Sequence, residues 1–279
     1  MNKTATILIS GIAALAIAQE PANEQVRTRQ LWDTTLLEKR PASPKTSVKR
    51  PPVGSVEGAL VGITVWRLRP LEPGDARGTR ALIQESDERQ WVPERVSADS
   101  PLIQDQRVRI SMEAGQEGYL YIIDRDGYAD GTRSDPYLIF PTTRTRHGEN
   151  HVKPGMVVDV PDQDDAPPYF RVKRSRGDQI DEVLSFLITP QPLSEIKSGR
   201  DRQKLSPEQV ARWEKLWKVK SEKLEDKASV GKAYTPAEKQ AARGEALLTA
   251  DDPLPQTMFH LNCKSGDPVL LDVALKIAR

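Results

Sequence analysis

The feature that most constrains this chain is a hydrophobic period of two that begins near Leu60 and recurs to the C-terminus. In "LVGITVWRL" the β-branched Val61, Ile63 and Val65 fall on one side, with Trp66 and Leu68 on the other. "RVRISME" alternates without a break, placing Val108, Ile110 and Met112 inward and Arg107, Arg109 and Ser111 outward. Successive side chains of a strand point to opposite faces, so this alternation marks half-buried antiparallel strands. Further strands read at "YLYIID", "YLIF", "MVVDV", "YFRV", "EVLSFLIT", "TMFHLN" and "VLLDVALKI". Their separators, such as "AGQEG", "DRDGYADG", "KPG", "DQDDAPP" and "SGDP", are rich in turn residues. About nine short strands without crossover helices predict an all-β, antiparallel β-sandwich and argue against a parallel α/β sheet.

One region breaks the rhythm. Ser206-Pro207-Glu208-Gln209 has the spacing of a capping box with proline at the first helical position. Val210, Trp213, Trp217 and Leu224 then fall on one helical face. Thr235-Pro236-Ala237-Glu238 repeats the start signal and Gly244 offers a stop. A two-helix insertion is expected over about 194–250, before the closing strands, with Trp213 and Trp217 clamping the first helix onto the sandwich.

The N-terminus reads as an export signal. Met1, Asn2 and Lys3 precede the uncharged run "TATILISGIAAL", and Ala16-Ile17-Ala18 supplies the small residues of a cleavage site. Residues 1–18 are therefore expected to be a signal peptide cleaved after Ala18, leaving a periplasmic or extracellular protein with no membrane span. Residues 19–54 read as a proline-rich, basic tether. Within it "RQLWDTTLLEKR" is a short amphipathic piece suited to docking on the parent domain or to an anionic envelope surface. Residues 55–279 are expected to form one sandwich domain. The chain has one cysteine, Cys263, so stability must come from a hydrophobic core rather than disulfides. Its 41 basic and 40 acidic side chains come to even balance when Lys3 is removed, which argues against bulk nucleic-acid binding.

"VRISMEAGQEGYLYIIDRDGYADG", "PYLIFPTTR", "VKPGMVVDVP", "YFRV" and "DEVLSFLITPQPL" together resemble the bacterial domain of unknown function 4384 family, over roughly Leu60 to Arg279. The resemblance implies an exported or envelope-facing β domain. It carries no catalytic residues with it.

The stretch from Gly118 to Arg146 draws the functional question, because strand-forming runs flank Asp124, Asp126, Asp130 and Asp135. An EF-type calcium loop started at Asp126 places Tyr128 third and Tyr137 twelfth, where carboxylates are needed, so that reading fails. A less regular calcium site on Asp124, Asp126 and Asp130 remains, beside the plainer reading of a polar hairpin tip. Histidine and cysteine fall in two pairs, His147/His151 and His260/Cys263. Three-residue spacing in a strand points the latter pair to opposite faces, against zinc. No Gly-x-Ser-x-Gly elbow or phosphate-cradling loop is present. Arg144 and Arg146 form one basic cluster; Arg171, Lys173, Arg174 and Arg176 form another. Should these meet at one end of the sandwich, they would suit an anionic polymer or acidic partner. The expected function is a non-catalytic module contacting proteins or envelope polymers through Asp124, Asp126, Asp130, Asp135, Arg144 and Arg146. The alternatives are a calcium-stabilised structural domain and a hydrolase whose site is assembled from dispersed residues.

Overall fold

The structure, a computed structural model, describes residues 35–43, 58–73, 75, 91–264 and 266–278. The signal run and most of the 19–54 tether lie outside the described residues. The chain is an all-β sandwich of two antiparallel sheets with a helical insertion. The first sheet has the order β11 (Ser221–Glu225), β12 (Thr257–Leu261), β1 (Ala59–Pro70), β3 (Arg107–Ala114), β7 (Val157–Val160). β1 is long enough to pair first with β12 and then with β2 (Trp91–Val96) along one edge. β3 likewise pairs with β7 and then with β8 (Phe170–Arg171). The second sheet runs β10 (Gln203–Lys204), β5 (Tyr137–Phe140), β4 (Gly118–Tyr128), β9 (Gln179–Thr189), β13 (Val269–Lys276), with β6 (His151–Val152) also on β4.

The alternating residues meet between the sheets. Val61, Ile63 and Val65 of β1 and Val108, Ile110 and Met112 of β3 pack in one core with Leu120, Ile122, Leu184, Phe186, Leu271 and Val273 of the second sheet. Each such fully buried aliphatic or aromatic side chain contributes about 1.5–3 kcal/mol over remaining in water.

The outer faces are covered as well. Helix α1 (Pro207–Trp217) lies on the second sheet, with Val210 and Trp213 against Tyr121, Ile123, Leu187 and Leu270. Trp213 is 1% exposed, so it is a clamp and its ring is closed to a stacking ligand. Ser206 caps α1 by accepting from the Gln209 amide, whereas the full reciprocal box forms at Thr235 and Glu238 of α2 (Pro236–Ala242). The expected helical face stops at Trp217. Leu224 sits in β11, because pairing with β12 offers residues 221–225 a ladder that outcompetes further helix. The insertion thus contributes two strands besides its two helices.

The outward side chains of β3 are not solvated, contrary to what alternation alone implies. Arg109, Ser111 and Glu113 are all buried, beneath α2, the segment 249–256 and the piece 35–43. Ser111 donates to Asp159 (2.5 Å) and accepts from Trp66 Nε1 (2.6 Å), while Tyr234 donates to Asp159 (2.8 Å). Arg95 pairs with Glu238 (2.5 Å) and lies 5.1 Å from the Trp66 ring centre. Arg40 grips Glu113 through two 2.7 Å bonds and donates to the carbonyls of Thr249, Asp252 and Pro253. Residues 35–39 are helical, and Leu36 packs on Leu60 and Met258, so this part of the tether docks on the domain.

Candidate functional site

The alternation of β4 carries its own surprise. Leu120 and Ile122 enter the core, and two and four residues on, Asp124 and Asp126 occupy the same face. Both are strand residues within Gly118–Tyr128, not loop residues, so the expected acidic loop shrinks to a tip around residues 129–134. β9 runs alongside with Glu182 opposite Asp126 and Leu184 opposite Asp124. The inner face of the second sheet therefore turns from apolar to acidic as it leaves the core.

Here the sandwich opens into a cleft of about 920 Å³. Asp124, Asp126 and Glu182 line one wall; Val160, Phe170 and Val172 line another. Asp124 and Glu182 are joined by a hydrogen bond, and burial, reinforced by the neighbouring carboxylates, pushes both carboxyls up, Asp124 to about 7 and Glu182 to about 8. The two titrate as a coupled pair that shares a proton near neutrality. Asp124 Oδ1 is enclosed and accepts no hydrogen bond. Asp126 accepts from Gln179 Nε2 at 2.7 Å.

Part of each basic cluster meets at this cleft, without Arg146 and with Arg176 turned to Asp130 and Asp178 instead. Arg144 follows β5; Arg171, Lys173 and Arg174 come from β8 and the segment after it; Arg200 and Arg202 precede β10. Arg171, Lys173 and Arg200 are exposed and form no ion pair with a described residue. Arg202 lies 4.5 Å from the Tyr137 ring centre. Arg174 donates to the Ala278 carbonyl, and Arg144 reaches Asp201 and the Ala166 carbonyl.

The remaining sequence candidates disperse. Asp130 sits at the hairpin tip, bonded to the Thr132 amide and hydroxyl and to Arg176; these bonds, those from Thr132 foremost, hold its carboxyl down at about 2. It does not join Asp124 and Asp126, and among the described residues no group of three or more His, Cys, Asp or Glu is disposed to hold a metal. Asp135 lines the cleft but is paired with Lys204. Arg146 is half-buried with Nη2 3.3 Å from Met156 Sδ, outside the cleft lining. His151 contacts Glu117 at 3.1 Å on the second sheet, and His260 lies on the first sheet. Burial pushes the Cys263 thiol up, away from the thiolate a nucleophile needs.

Sequence reasoning missed Glu182, Arg200 and Arg202. It also ended β4 too early, because Asp and Gly read as turn residues; continuing the alternation past Ile122 would have put both aspartates on the core face. Chemically, the wall can hold or release a proton near neutrality and can accept a cation, while the rim can hold anions. Comparison with family models, curated proteins and solved structures finds no significant match for this chain.

Proposed function

We propose that this chain is an exported, non-catalytic binding domain whose cleft holds an anionic chain, either an acidic protein segment or an envelope polymer. The observation that carries this is convergence: six cationic side chains from three segments line one cleft at the open end of the sandwich, and three of them have no anionic partner among the described residues. Unpaired like charges held close together on a rigid scaffold repel one another, and an arriving anion relieves that repulsion. Export is supported by the apolar run after Lys3 and by the resemblance to exported β domains. No helix of the described residues is long and apolar enough to cross a membrane.

The test is capture of poly-L-glutamate by the protein and by a Lys173→Glu/Arg200→Glu variant. Both residues are exposed, so folding should be unaffected, which a thermal melt checks. The expected result is binding that the variant loses by at least tenfold. Equal binding by the two proteins would overturn the reading.

A further inference from the structure

The basic rim leaves the deep wall of the cleft unexplained. Three carboxyl groups, Asp124, Asp126 and Glu182, face the same space from adjacent strands. A buried acceptor without a donor is costly, and Asp124 Oδ1 is one. The charge of Arg202 acts on Asp124, yet none of the protein's own cations donates a hydrogen bond to this oxygen. Arg125 of β4 points to the opposite face, where it bonds Ser185 and Glu214. Arg202 lies over Tyr137 and Arg174 is tied to the Ala278 carbonyl. Calcium wants six or more oxygens, and among the described residues no group of three or more His, Cys, Asp or Glu is disposed to hold a metal. An ammonium needs only two or three acceptors and tolerates loose geometry.

We infer that the cleft wall formed by Asp124, Asp126 and Glu182 receives an ammonium group of the same ligand whose anionic groups lie on the arginine and lysine rim, making the ligand a zwitterionic chain such as a peptide with lysine between acidic residues. The inference rests on the anionic-chain reading and deepens it by adding a cation at depth. It also predicts proton linkage. The free wall holds a proton between Asp124 and Glu182, and an arriving ammonium replaces it. Asp126 and Arg202 act on this pair through their charges, and Tyr128 on β4, Tyr137 on β5, Asp135 just before it, Arg144, Asp165, Arg200 and Asp201, and Arg171, Lys173 and Arg174 on and after β8 line the same cleft. Burial and the neighbouring carboxylates raise the coupled acids into the neutral range.

The experiment is calorimetric titration of the wild-type protein with two capped pentapeptides, Glu-Glu-Lys-Glu-Glu and the same peptide with norleucine for lysine. At pH 8 the lysine peptide should bind at least tenfold tighter and release protons, seen as a heat that varies with buffer ionisation enthalpy. Its advantage should shrink at pH 5.5, where the wall is protonated. An Asp124→Asn/Glu182→Gln variant should bind both peptides equally, at the norleucine level. Equal binding of the two peptides by the wild type, without proton release, would overturn the cation site and leave the anionic-chain reading standing. A lysine advantage that survives in the variant would overturn its placement on this wall. Failure of both peptides to bind would overturn both readings.

Discussion

Ile122 and Asp124 stand on the same face of one strand, two residues apart, and differ only in what lies across from them. Ile122 meets the opposing sheet; Asp124 meets the cleft. That placement has a cost that pH reveals. The ordinary values for Asp124 and Glu182 are 3.8 and 4.5, and burial raises both in the folded protein to about 7 and about 8. The folded state therefore binds protons more tightly than the unfolded chain. This contribution to stability is fully present below about pH 4 and is lost as pH rises through about 8. Glu182→Gln should accordingly gain about 1 kcal/mol or more at pH 8, about 2–4 °C in Tm, and flatten the decline between pH 4 and 8 in thermal melts. Arg40 shows the opposite economy. Its bidentate bond to buried Glu113 is closed on all sides, so Arg40→Met should cost about 3–5 kcal/mol in urea denaturation by stranding the carboxylate. The double change Arg40→Met/Glu113→Leu should recover much of that loss. Neither partner was legible as a pair, because 73 residues separate them and one lies in a segment that composition assigns to a tether.

At the scale of elements, strands with strict alternation were readable to within a residue or two: β1, β3, β5, β12 and β13 fall where period two puts them. The missed ones are instructive. β2 contains Pro93 and the alternating charges Glu94 and Arg95, which turn outward pairing into buried pairs only once α2 and Tyr234 cover them. β11 reads as helix by local pattern, and only its partner β12 makes it a strand. Helix starts were plainer, since a cap is a local device. α2 is two turns long and positions Glu238 for Arg95 and the main chain for Tyr234. Thr235→Ala should lose its capping box and about 1 kcal/mol, measured by chemical denaturation at neutral pH.

At the scale of the molecule, both sheets are covered on their outer faces, one by α1 and the other by α2 with residues 35–43, and the described chain opens a cleft of about 920 Å³ at one end, between the sheets. Binding there should weaken steeply with salt, because Arg171, Lys173 and Arg200 are exposed and their fields extend only about 8 Å at physiological ionic strength. Titrating poly-L-glutamate at rising sodium chloride measures this, and an affinity indifferent to salt would contradict a rim built of solvent-facing charge.

What the sequence by itself determined was the set of local periods and caps: alternation chose strands, strands without crossovers chose an antiparallel sandwich, and Ser206 and Thr235 chose where helices begin. These are decided within a few residues of chain, where the backbone alone dictates which side chains share a face. Only the tertiary structure decided which faces meet water. Whether Arg109 and Glu113 are surface or interior, whether Asp124 belongs to a loop or a wall, and whether Arg144 and Lys173 share a cleft all depend on segments tens of residues away. Burial and electrostatic field are properties of what packs against a residue, and no period in the chain encodes them.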